Sequence, residues 1–160
     1  MKILISLLFI TSTLNSFSQI KNHDIKWQAE VIKVSTDIYD IKFTLIPSKK
    51  WWISSPIQDT SKTDLLPTQI MLSSNHYLQT MDRLKEQPIP EETIQKDGEV
   101  IKWVKSKTTY TQRIKLMTQH PFISSYSIFF QPRTDEFMLM RKKINGKIIY
   151  SKKQLRIKIE

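Results

Sequence analysis

The 160-residue chain contains no cysteine. It therefore has no disulfide, no thiolate nucleophile, no Cys-ligated zinc or iron–sulfur site and no dithiol redox couple. Glycine is almost as scarce, with only Gly98 and Gly146. Two isolated glycines cannot build a phosphate-cradling loop or the strained G-x-S-x-G elbow of a hydrolase, so nucleotide binding through such a loop is excluded. Beyond residue 18 there is no run approaching the ~20 apolar residues needed to span a bilayer as a helix. Acidic residues are in deficit, 15 Asp plus Glu against 25 Lys plus Arg, for a net charge of +10. What is present suffices for a core: 39% of residues are hydrophobic and 10% aromatic, a composition unlike that of disordered chains.

Residues 1–18 read MKILISLLFITSTLNSFS, with one cation at Lys2, an apolar run over Ile3 to Ile10, a polar stretch, and Ser16-Phe17-Ser18 as a small-x-small cleavage site. The expectation is a secretory signal peptide cut before Gln19. A membrane anchor is the rival, but Thr11, Ser12, Thr13, Asn15 and Ser16 interrupt the run. Residues 19–160 then form a single exported domain, periplasmic or secreted, held without disulfides by its core alone.

Period-two alternation of apolar and polar residues marks strands. Ile25, Trp27, Ala29 and Val31 share one face, and Tyr39, Ile41, Phe43 and Leu45 the next, across a turn at Ser35-Thr36-Asp37. Further strands are expected at Trp51 to Ile53, Thr68 to Leu72, Val100 to Lys105, Thr108 to Met117 and Phe122 to Gln131. The span Met81 to Asp97 reads as a long surface connection with a helical turn at Glu91 to Gln95. Asn145-Gly146, between Phe137 to Ile144 and Lys147 to Ser151, predicts a two-residue hairpin turn. Leu155, Ile157 and Ile159 mark a last strand. Eight to ten short strands with no long helix predict an all-β, antiparallel two-sheet sandwich, with a barrel as the alternative.

Sites for chemistry are sparse. His23, His76 and His120 have no partners at metal-ligating spacing, so no metal site is expected. The neighbouring carboxylates Asp135-Glu136 and Glu91-Glu92 point to opposite faces if extended, which suits solvation better than an acid/base dyad. Of the adjacent pair Trp51-Trp52, at least one must face away from the core and is either a contact residue or covered by a loop. Cations concentrate at Lys142, Lys143, Lys147, Lys152, Lys153, Arg156 and Lys158. They are solvated outward strand positions that blunt exposed edges, or a surface that meets anionic envelope components; nucleic acid is not expected as a partner.

Several segments together resemble the amino-terminal domain of the thiol:disulfide interchange protein DsbD. They are Ile25-Lys26-Trp27, the run Tyr39 to Leu45, Lys49-Lys50-Trp51-Trp52-Ile53, Leu66-Pro67-Thr68, Trp103 to Gln112 (WVKSKTTYTQ) and Ser127 to Gln131 (SIFFQ). The resemblance spans roughly residues 25 to 140. It implies an exported immunoglobulin-like sandwich whose paired cysteines follow the last of these strands, shielded by an aromatic-bearing cap loop. Laid over that pattern, Arg133 and Met138 occupy the cysteine positions, and Trp103, in a cap at about Val100 to Lys105, is the covering aromatic. Thiol exchange needs an attacking thiolate and a partner sulfur, and this chain has neither.

The resulting expectation is a protein that is not an enzyme of that kind, needs no cofactor, and binds another periplasmic or envelope protein through Trp52, Trp103, Phe130, Arg133 and Phe137. A basic surface binder acting through the carboxyl-terminal lysines is the alternative, and an enzyme with an unrecognised site a third.

Overall fold

Alternating burial is the rule along the strands of the computed structural model, which describes residues 25–73 and 75–160. The expected signal peptide, its cleavage site and His23 lie outside the described residues. Twelve strands occur among those described: β1 (Ile25–Lys33), β2 (Ile38–Pro47), β3 (Ile53–Ser54), β4 (Gln69–Leu72), β5 (Leu78–Thr80), β6 (Lys85–Gln87), β7 (Glu92–Ile94), β8 (Val100–Val104), β9 (Thr108–Leu116), β10 (Phe122–Phe130), β11 (Lys142–Ser151) and β12 (Gln154–Ile159).

One sheet runs β1-β2-β9-β5, with β6 also paired to β9, and a second runs β12-β11-β10-β4. A small third sheet, β3-β8-β7, flanks them. The pairings are antiparallel, and the chain passes repeatedly from one large sheet to the other, which makes the fold an all-β immunoglobulin-like sandwich.

The inward rows predicted from the sequence meet between the sheets. Trp27 on β1 packs against Phe130 on β10 at 5.6 Å between ring centroids, and Phe43 on β2 against Tyr126 on β10 at 5.0 Å. Ile41, Leu45, Ile114, Ile128 and Ile148 complete a layer with no measurable exposure. Burying each such side chain contributes roughly 1.5–3 kcal/mol, which explains how the domain holds without disulfides.

Four local expectations are corrected. Glu91 to Gln95 forms no helical turn: Glu92–Ile94 is extended and pairs with β8, because backbone pairing to Val100, Ile101 and Lys102 outweighs a short helical preference. The segment Met81 to Asp97 also contributes β6, so it is not merely a surface connection. The strand expected at Trp51 to Ile53 is displaced to Ile53–Ser54, and Trp52 makes a single bridge to Arg133.

The fourth concerns Asn145-Gly146, which lies in the middle of β11 with Gly146 opposite Tyr126, so the strand expected from Phe137 begins only at Lys142. The Tyr126 ring crosses residue 146 to donate its hydroxyl to the Lys158 carbonyl at 3.0 Å. A Cβ at 146 would collide with both the ring and that carbonyl. Glycine is there as a notch, not as a turn. The actual β11–β12 turn is at Lys152 and Lys153, with φ of 50° and 59°, a left-handed pair that lysine rarely adopts and that its identity does not announce.

Candidate functional site

The edge after β10 is organised by a tight hairpin. Arg133 and Met138 face each other in an antiparallel bridge. The flanking hydrogen bonds run from the Thr134 amide to the Phe137 carbonyl at 2.8 Å and from the Leu139 amide to the Pro132 carbonyl at 2.9 Å. This is the non-hydrogen-bonded type of cross-strand pair, in which opposed side chains come closest. The buried Thr134 hydroxyl accepts from the Glu136 and Phe137 amides, both at 3.2 Å, and so satisfies the turn from within. Gln131 adds a side-chain bond to the Leu139 carbonyl at 3.0 Å. On its other side Arg133 exchanges two backbone hydrogen bonds with Trp52, each 3.0 Å, which ties the hairpin to the chain before β3.

Aromatic side chains support this edge. The Arg133 guanidinium lies over the Trp103 ring at 4.7 Å, and Lys105 lies over Trp52 at 4.9 Å. Phe137 sits edge-on to Trp51 at 5.6 Å. Trp103, expected in a cap loop, projects instead from strand β8.

The structure brings four of the five sequence-predicted residues together: Trp52, Trp103, Arg133 and Phe137. Only Phe137 is well exposed, at 52%, next to Met138 at 51%. Trp103 is buried, with the Arg133 guanidinium over its ring. Phe130 is a correction: it is 1% exposed and packed on Trp27, because it falls on the inward parity of β10, and it offers a partner no surface. A cleft of about 350 Å³ opens beside the hairpin, lined by Lys49, Lys50, Trp52, Asp135, Glu136 and Phe137. The indole nitrogen of Trp52 and Nε of Arg133 are buried without hydrogen-bond partners.

A second polar cluster escaped the sequence reading. Glu86, on β6, is 7% exposed and accepts a 2.6 Å hydrogen bond from the Ser55 hydroxyl. The Tyr110 hydroxyl also faces its carboxyl, close enough to favour the charged form but outside the geometry of a well-formed bond. Burial outweighs both and raises the Glu86 pKa, and burial beside this carboxylate likewise raises that of Tyr110. Glu86 lines a larger cleft of about 930 Å³ with Lys42, Lys85, Lys102, Arg113 and Ile57. Along one wall Arg113 binds Asp40 through Nε at 2.8 Å and Nη2 at 3.0 Å, and that hydrogen bond lowers the Asp40 pKa. Lying in a charged stretch without period, Glu86 carried no sequence signal.

No family model and no curated protein matches the chain. Among solved structures it is similar to the GAE domain of GGA2p from Saccharomyces cerevisiae, at 9% identity over 85% of this chain and 98% of that one, with a TM-score of 0.46. The yeast GGA1 GAE domain matches at 9% identity over 84% and 98%, with a TM-score of 0.44. The N-terminal domain of Neisseria meningitidis DsbD in its reduced form matches at 7% identity over 81% and 89%, with a TM-score of 0.45. The likeness is one of strand arrangement. The present chain differs from any thiol exchanger in having no cysteine, and thiol:disulfide exchange by its own residues is chemically closed to it. Among the described residues no helix is long and apolar enough to cross a membrane.

Proposed function

We propose that the protein is an exported, non-catalytic module that binds another envelope protein through the hairpin from Gln131 to Leu139. The observation that carries this reading is the exposure of Phe137 and Met138 on a turn whose backbone is already locked by Thr134 and by the Trp52–Arg133 pair. Apolar side chains held rigidly at a surface lose little entropy on binding, which is what a contact anchor requires. Lys49, Lys50, Asp135 and Glu136, which line the same cleft as Trp52 and Phe137, supply charge of both signs beside the apolar side chains. Export is supported by the form of residues 1–18.

The test is photo-crosslinking in the producing cell from position 137, with position 32, on β1, as the comparison site. A discrete crosslinked protein from 137 alone, abolished by Met138→Ala, is expected. Identical crosslinks from both positions, or none from 137, would remove the reading. Amino-terminal sequencing of the purified protein is expected to begin at Gln19, and an intact Met1 would remove the export component.

A further inference from the structure

The two large sheets treat charge differently. The strands of the β1-β2-β9 sheet carry carboxylates among their cations: Arg113 pairs with Asp40 at 2.8 Å, Glu30 stands opposite Lys42, and Lys115 reaches Asp37 in the β1–β2 turn at 3.7 Å. The strands of the other sheet, β4, β10, β11 and β12, contain no Asp or Glu at all. Their outward positions instead hold Lys143, Lys147, Arg156 and Lys158, all exposed. Lys147 and Lys158 stand directly opposite each other across the β11–β12 pair. Like charges in that relation are destabilising, so folding alone does not favour the arrangement. Glu160, past the end of β12, pairs with Lys147 at 2.5 Å and offsets one charge.

Apolar side chains lie among these cations. Ile123 is 63% exposed and Met71 54%. The Phe129 ring lies between Arg141 and Lys143, each 5.3 Å from its centroid.

We propose that the outer face of this four-stranded sheet docks on an anionic lipid bilayer. Charge complementarity selects an anionic partner. The shape selects a bilayer: a linear polyanion is held in a groove that follows its backbone, whereas this surface is a sheet face with cations for headgroups and exposed apolar side chains between them for the acyl boundary. The residues differ from those of the Gln131–Leu139 hairpin, so the proposal stands or falls separately from protein binding there.

The experiment is flotation of the purified protein with vesicles of phosphatidylcholine alone or mixed with phosphatidylglycerol, at low and high salt. Binding is expected to the mixed vesicles only and to fall as salt screens the charges. Each cation near an anionic surface strengthens binding by roughly five-fold, so the K143Q/K147Q/R156Q/K158Q protein is expected to lose well over ten-fold. The K26Q/K33Q/K96Q/K107Q protein, with equal charge and the same residues 1–24, is expected to lose far less. Equal losses in the two would reduce the effect to net charge and overturn the proposal, as would no preference for the mixed vesicles. Ile123→Ser with Met71→Ser, which leaves every charge in place, is expected to weaken vesicle binding and spare heparin binding. Heparin binding stronger than vesicle binding and insensitive to that pair would assign the face to a soluble polyanion instead.

Discussion

Glu86 carries the most distinctive residue-level energetics in the molecule, a carboxyl removed from water with one good donor, Ser55, at 2.6 Å. Its pKa is raised by burial, so the ionised form is disfavoured in the folded state relative to the unfolded one. Its contribution to stability is fully present below the ordinary carboxyl pKa and is lost as pH rises through the raised value. Glu86→Gln, which cannot ionise, should therefore gain thermal stability relative to wild type between pH 4 and pH 8; melting curves at both ends check this, and a difference independent of pH would contradict it. Gly146→Ala tests the notch beneath Tyr126. Overpacking against a ring and a backbone carbonyl should cost about 1–3 kcal/mol in urea denaturation. Neither effect is legible in the sequence, since Glu86 sits in an aperiodic charged stretch and Asn145-Gly146 imitates a turn.

At the scale of elements, most long strands were readable and the three-residue ones were not; the ten-residue β11 is the exception, because Asn145-Gly146 in its middle imitates a turn. β1, β2, β9, β10 and β12 alternate over six or more residues, and the inward row of each is the buried one. β5, β6 and β7, three residues each, have too few positions to show a period and exist because β8 or β9 offers a free edge. The hairpin at Arg133 and Met138 gives the sharpest element-level prediction. A non-hydrogen-bonded antiparallel pair separates Cα atoms by ~4.5 Å, within the ~4.4–6.8 Å span of disulfides. Arg133→Cys with Met138→Cys should therefore close a disulfide in air, seen as loss of both free thiols in thiol titration and a loss of two mass units. Two persistently free thiols would show that the hairpin register is wrong.

Across the whole molecule, the two large sheets share one core, so they should lose structure together. Trp27 joins them by touching Tyr110 on β9 at 5.9 Å and Phe130 on β10 at 5.6 Å. Trp27→Ala should cost about 3–5 kcal/mol and lower a single transition, with circular dichroism and the fluorescence of the remaining tryptophans giving the same midpoint. Two separated midpoints would mean that the sheets unfold independently. The charge asymmetry between the sheets also belongs to this scale: the carboxyl-terminal lysines are visible in the chain, but only strand register reveals that four cations share one outward face.

The sequence by itself determined the all-β class, the inward rows and the impossibility of thiol chemistry, because side-chain alternation is local and the absence of sulfur needs no coordinates. Tertiary structure decided which turn closes the last hairpin, that Phe137 stays at the surface against Trp51, and that Arg133 stacks on Trp103. Each of these depends on residues distant in the chain meeting across a sheet or between sheets, and no local pattern encodes that meeting.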